Sequence, residues 1–153
     1  MPAAPELVHG TCVGLGRRAA LLRGPPGSGK SDLALRFLYL SRRGPAALEA
    51  PVLVADDQVR LVNDGSRLLA SPPESIRGRI EVRGVGIVPV KSIPEAELVL
   101  VVDLVEPAAT ERLPAWDARV SLGGIDLPLL RLAPFENSAP IKLALALAHA
   151  SRI

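Results

Sequence analysis

Gly24-Pro25-Pro26-Gly27-Ser28-Gly29-Lys30-Ser31 satisfies the pattern Gly-x-x-x-x-Gly-Lys-Ser/Thr in full. The apolar run Ala19-Ala20-Leu21-Leu22 precedes it as a strand would, and Asp32-Leu33-Ala34-Leu35-Arg36-Phe37-Leu38 continues it with helical spacing. A glycine-rich turn in that setting aims successive backbone N–H groups at one point, with a helix N-terminus behind them, and so holds phosphate. Lys30 is expected to reach the β- and γ-phosphates of a nucleoside triphosphate, and the Ser31 hydroxyl to ligate Mg²⁺. The plainer alternative is a glycine-rich turn between strand and helix without function, and six fixed features in one window weigh against it. The fold class that follows is α/β, a phosphate-loop domain.

Composition fits that class. The chain has 153 residues, enough for one domain with a sizeable core, so 1–153 is read as one unit. Apolar residues make up 48%, almost all aliphatic, and aromatic residues only 3%. That leaves few platforms for single-stranded nucleic acid, and a formal charge of +2 spread along the chain adds no basic patch. The single cysteine, Cys12, excludes an internal disulfide and falls in an expected strand, where it reads as a small buried hydrophobe. With no signal peptide and no run long enough to span a bilayer, a soluble cytoplasmic protein without membrane or nucleic-acid partners is expected.

Outward from the loop, residues 7–13 and 18–23 read as a hairpin across Gly14-Leu15-Gly16-Arg17. A helix over 30–40 follows, with Leu33, Ala34, Phe37 and Leu38 on one face, ended by Arg42-Arg43-Gly44-Pro45. Val52-Leu53-Val54-Ala55 is a short buried strand, and 59–62 with 67–70 form a second hairpin across Asn63-Asp64-Gly65-Ser66. Residues 80–82 and 86–90 are strand pieces around Arg83-Gly84, and 98–102 is apolar throughout, as a strand buried on both faces is. Strands over 120–122 and 127–130 and a closing helix over 140–151 complete the chain. Hairpins beside the phosphate loop imply a mixed sheet. Tyr39 and Trp116 read as packing residues, and His149 as a partner of its own helix terminus.

Asp56 and Asp57 close the buried strand that follows the first helix. Beside a phosphate loop, an acid so placed holds Mg²⁺ or accepts a proton from the attacking nucleophile, and two adjacent acids can divide those tasks. An acidic turn is the plainer alternative. Glu81 and Arg83 share one face of Ile80-Glu81-Val82-Arg83, where a carboxylate can serve metal and a guanidinium phosphate; an ordinary surface ion pair reads equally well. Gly84 and Gly86 suggest a tight backbone path near a ligand or strand. By spacing alone His9 is a surface residue and Arg112 a loop charge.

Together these segments resemble the catalytic domain of the HPr kinase/phosphorylase family. The resemblance is carried by His9-Gly10-Thr11, the loop 24–31 with Asp32-Leu33-Ala34-Leu35, Leu53-Val54-Ala55-Asp56-Asp57-Gln58-Val59, Ile80-Glu81-Val82-Arg83-Gly84-Val85-Gly86-Ile87-Val88, and Glu111-Arg112-Leu113. It implies a mixed-sheet domain related to phosphoenolpyruvate carboxykinase. It also implies transfer of the γ-phosphoryl of ATP, with Mg²⁺, to a serine of HPr, the phosphocarrier of the sugar phosphotransferase system. Many members also remove that phosphate, using inorganic phosphate and releasing pyrophosphate. The resemblance places Ser31, Asp56 and Glu81 at the metal and the proton-accepting role on Asp57. It sets Lys30, Arg83 and Arg112 near the transferring group, with His9 beside it. Subunit number is left open, a homo-oligomer among the options.

The chain departs from the family in three places. With His9 so near the start of the sequence, the N-terminal domain of longer members is expected to be missing, and extra residues stand around 45–51. The basic segment that many members carry before the last helix is here Leu129-Leu130-Arg131-Leu132-Ala133-Pro134-Phe135-Glu136-Asn137. A small-molecule kinase would resemble a parallel core opened directly by the phosphate-loop strand, with an arginine-rich lid. A nucleotide-binding regulator without catalysis would have lost the acid or the serine. The altered 129–137 segment yields a prediction: phosphoserine-HPr given millimolar inorganic phosphate will release pyrophosphate far more slowly than the forward reaction runs. Release at comparable rates would show the departure to be harmless.

Overall fold

The computed structural model describes residues 4–40 and 49–150. The expected helix stop at Arg42-Arg43-Gly44-Pro45, part of the insertion and Ser151 lie outside them. In chain order the elements are β1 (Glu6–His9), β2 (Thr11–Leu15), β3 (Arg18–Arg23), α1 (Lys30–Leu38), β4 (Pro51–Ala55), β5 (Gln58–Asn63) and β6 (Leu68–Ser71). Then come β7 (Arg79–Val82), β8 (Gly86–Pro89), β9 (Ala96–Leu104), β10 (Arg119–Leu122), β11 (Ile125–Leu132) and α2 (Ala139–Ala150).

The strand expected over 7–13 is two strands, cut at Gly10. A Cβ on Gly10 would lie 2.8 Å from both the Leu22 carbonyl oxygen and Leu21 Cδ1, so the chain runs too close to β3 there for any side chain. On one side of the cut β1 pairs antiparallel with β5; on the other β2 pairs antiparallel with β3 and β4. The main sheet runs β1-β5-β6-β9-β3-β2-β4, with β11 also on β9 and β10 on β11. β3 and β11 are parallel to β9 and the remaining pairs antiparallel, so the sheet is mixed, as the hairpins beside the loop require. Arg23 donates to both carboxylate oxygens of Asp103 at 2.8 and 3.1 Å, tying the ends of β3 and β9 beneath the phosphate loop. β7 and β8 form a separate two-stranded sheet.

Alternation along the strands divides the core in two. Val13, Ala20, Leu22, Leu53, Leu100 and Val102 face the helices, where Leu33, Ala34 and Phe37 of α1 and Leu143, Ala144 and Leu147 of α2 meet them. Ile80 of β7 joins this layer. Cys12, Leu21, Val54, Leu61, Leu98 and Val101 pack on the other face, covered by the outer strands. Burial pushes the Cys12 thiol far above its usual range, so it stays protonated and inert.

α1 follows the expected face but ends at Leu38. Tyr39, expected to pack, is exposed. Trp116 does pack, though on His149, whose ring lies 4.5 Å away centre to centre; an aromatic neighbour takes the place of the helix terminus expected for that histidine. Phe37 is the largest fully buried side chain and holds α1 on the sheet. Phe37→Ala should lower unfolding stability by about 3–5 kcal/mol in a denaturant titration, because both burial and a cavity term are lost.

Candidate active site

The phosphate loop opens at the end of β3. Gly29 caps α1 in the left-handed region (φ 97°), and no side chain caps the helix. The first-turn N–H groups, which have no intrahelical acceptor, therefore face the loop as donors to an anion. The Lys30 ammonium is buried at the loop, donating to the carbonyls of Gly24 at 2.6 Å and Pro25 at 3.1 Å. Pro25, Pro26, Gly27 and Ser28 line a cleft of about 660 Å³. The Ser28 hydroxyl is buried without a hydrogen-bond partner among the described residues.

Asp56 gathers four parts of the chain. Its Oδ1 accepts from the Ser31 hydroxyl at 2.8 Å and from the Thr11 hydroxyl at 3.0 Å, and its Oδ2 accepts from the Glu81 N–H at 3.2 Å. Only 7% of Asp56 is exposed, and Thr11 is wholly buried. Ser31 and Asp56 present hard oxygens, the chemistry Mg²⁺ prefers. Two ligands in neighbouring positions of an octahedral magnesium lie roughly 2.9 Å apart, which fits the Ser31–Asp56 spacing. Among the described residues no three His, Cys, Asp or Glu side chains form a metal cluster. A pair such as Ser31 and Asp56 leaves the other positions of an octahedral ion to phosphates and water.

Asp57 stands next to this centre with φ 69°, at the middle of a three-residue turn closed by the Gln58 N–H on the Asp56 carbonyl at 2.8 Å. A non-glycine residue in this conformation costs about 1–3 kcal/mol and persists only where its surroundings fix it. Gly10 does so: its N–H donates to the Asp57 carbonyl at 3.0 Å from the opposite strand. The carboxylate is left exposed, with His9 Nδ1 3.5 Å from its Oδ1. His9, Gly10 and Thr11 therefore act successively on the Asp57 side chain, the Asp57 backbone and the Asp56 carboxylate.

Glu81 and Arg83 are exposed on β7 and the turn after it, while Ile80 and Val82 point into the core layer, as their alternation requires. The turn is closed by Val85 N–H on the Val82 carbonyl at 2.9 Å, with Gly84 at φ 89°. Neither Gly84 nor Gly86 has a neighbour within 4 Å of a Cβ position, so backbone conformation demands them, not the close approach expected from the sequence. Arg112 lines a cavity of about 420 Å³ between residues 110–118, β11 and α2, which shares Ala133 and Glu136 with the phosphate-loop cleft. The structure thus brings His9, Lys30, Ser31, Asp56, Asp57 and β7 together, with Arg112 in this adjoining cavity. Thr11 was missed in the sequence because a threonine in a strand carries no local mark of a buried acid across the sheet.

A family model described as HPr serine kinase C-terminal domain matches residues 2–142. The chain belongs to that family. Among curated relatives, the HPr kinase/phosphorylase of Caldicellulosiruptor bescii is 36% identical, the match covering 83% of this chain and 42% of the relative. That of Caldanaerobacter subterraneus is 32% identical, covering 95% of this chain and 50% of the relative. The chain spans about half the length of the curated relatives it matches. A solved HPr(Ser) kinase/phosphatase from Coxiella burnetii has the same fold, with a TM-score of 0.75, 23% identity and 96% of each chain covered.

The Thr11–Asp56 bond is testable alone. Thr11→Val removes a hydrogen bond to a charged group at nearly constant shape and should cost about 1.5–3 kcal/mol of stability, read by urea unfolding. An unchanged midpoint would mean that this hydroxyl carries no weight.

Proposed function

We propose that this chain transfers the γ-phosphoryl group of ATP to a serine of the phosphocarrier HPr. The observation that carries the reading is the Asp56–Asp57 pair. One acid is bonded to the phosphate-loop serine, and its neighbour is exposed on a strained turn beside His9. Family membership supports ATP and HPr as the reactants. The mixed sheet favours this reading over a small-molecule kinase built on a parallel core.

In this reading the N–H groups of the loop and of α1 hold the phosphate chain, and Lys30 exchanges its loop carbonyls for the β- and γ-phosphates. Ser31 and Asp56 would hold Mg²⁺, with Glu81 at the same centre; the ion, when bound, neutralises charge on the β- and γ-oxygens. Asp57 orients the serine hydroxyl and takes its proton as the serine oxygen bonds to the γ-phosphorus, and the bond from that phosphorus to the β-bridging oxygen breaks to leave ADP. His9 adjusts the charge at Asp57. Arg83, exposed beside Glu81, meets the transferring group, a role the family resemblance gives also to Arg112. Asp56 is bonded on both oxygens, whereas Asp57 is open to a protein substrate, which supports this division of roles.

Among the described residues no helix is long and apolar enough to cross a membrane. Asp57→Asn keeps the shape and removes the base. ATP binding should survive while transfer to HPr falls by roughly two to four orders of magnitude. Near wild-type transfer by this variant would overturn the assignment.

A further inference from the structure

The two neighbours of β3 lead to different chemistry. On one side β2 and β4 bring Thr11, Asp56 and the Asp57 turn to the phosphate loop. On the other side are β9 and β11, and the chain just beyond them, at Val105–Pro107 and Ala133–Glu136, forms the far wall of the 660 Å³ cleft. For a nucleotide whose terminal phosphates meet Ser31 and Asp56, this cleft is open space on the far side of the loop that its nucleoside can enter. Apart from Ser28 and the two glutamates, Glu106 and Glu136, the side chains lining it are apolar.

Phe135 stands at the mouth of that cleft with 70% of its surface exposed. Its edge rests on the cap of α1: a Cβ on Gly29 would lie 3.0 Å from Phe135 Cε1 and Cζ. The backbone on both sides of the ring is held by one guanidinium. Arg36 donates to the carbonyl of Pro134 and, at 3.2 Å, to that of Glu136. Asp32, one turn back on α1, accepts from Arg36 Nε at 3.0 Å and fixes the guanidinium in turn. An aromatic ring is thus kept out of the core, on a braced segment, next to the phosphate-binding turn.

We propose that Phe135 is the platform on which the base of the bound nucleotide stacks. The proposal rests on the reading of residues 24–31 as a nucleoside triphosphate site. Every nucleobase has a π-face, and removing an aromatic platform weakens base binding substantially, on the order of tenfold or more. Inorganic tripolyphosphate has no base, so it reports the phosphate loop alone.

The experiment is calorimetric titration of the full chain with ATP and, separately, with tripolyphosphate, each with magnesium. Phe135→Ala should weaken ATP about tenfold or more and leave tripolyphosphate unchanged. Phe135→Trp should keep ATP affinity, and Phe135→Leu, which preserves an apolar contact with Gly29 but has no π-face, should lose it. Unchanged ATP affinity in Phe135→Ala overturns the proposal. Equal losses for ATP and tripolyphosphate also overturn it, since Phe135 would then act only by supporting the loop. If the wild-type chain binds neither compound, the phosphate-loop reading itself fails, and the proposal with it.

Discussion

The carboxylate of Asp56 is the constraint on which the site depends. It is nearly buried, and an ionised group in that position is tolerated only when it is hydrogen-bonded. Three donors meet the need, from β2, from the first turn of α1 and from the backbone of β7. Each bond also positions its donor. The phosphate-loop serine is aligned with the strand-end acid, and the β7–β8 hairpin, outside the main sheet, is anchored to it. Satisfying one buried charge and bringing the phosphate-loop serine to the strand-end acid are here the same act.

Strain is placed beside this anchor. Asp57 has a backbone conformation that a side chain disfavours, and the cost is met by bonds on either side of it. Gly10 supplies one of them, from a point where the closeness of β3 excludes a Cβ. The turn directs the Asp57 side chain outward while Asp56 stays inside. Two adjacent residues of one type thus acquire different environments, as the proposed division between metal binding and proton transfer requires.

The other side of the phosphate loop is built by different means. Among the described residues, the ion pairs on that side are partly exposed. The ends of β3 and β9 are tied by the Arg23–Asp103 pair, and the segment after β11 is tied to α1 by Arg36. Bidentate and multiply bonded guanidinium groups lose less freedom per bond than flexible contacts do, which suits a wall that must keep its shape next to an open cleft.

Local chemistry made much of the architecture legible in the sequence. The phosphate loop, the start and buried face of α1, the turn at 63–66, the in-and-out alternation of β7 and the apolar β9 all rest on interactions within a few residues, which spacing and turn residues record. The pair Asp56-Asp57 was visible for the same reason, standing at the end of an apolar run. What sequence could not decide was partnership. Residues 7–13 read as one strand because nothing in them shows that Gly10 presses against Leu22, or that β1 and β2 pair with different strands. Thr11 and Asp56 are 45 positions apart, and Arg36 and Glu136 are 100 apart; such contacts come from the register of the sheet and the docking of helices on it. Arg112, for its part, is set beside α2 by the path of a long loop. Residue type and spacing determine what each segment can form, but only tertiary packing decides which segments meet, because the free energy that selects those meetings is shared across the whole core.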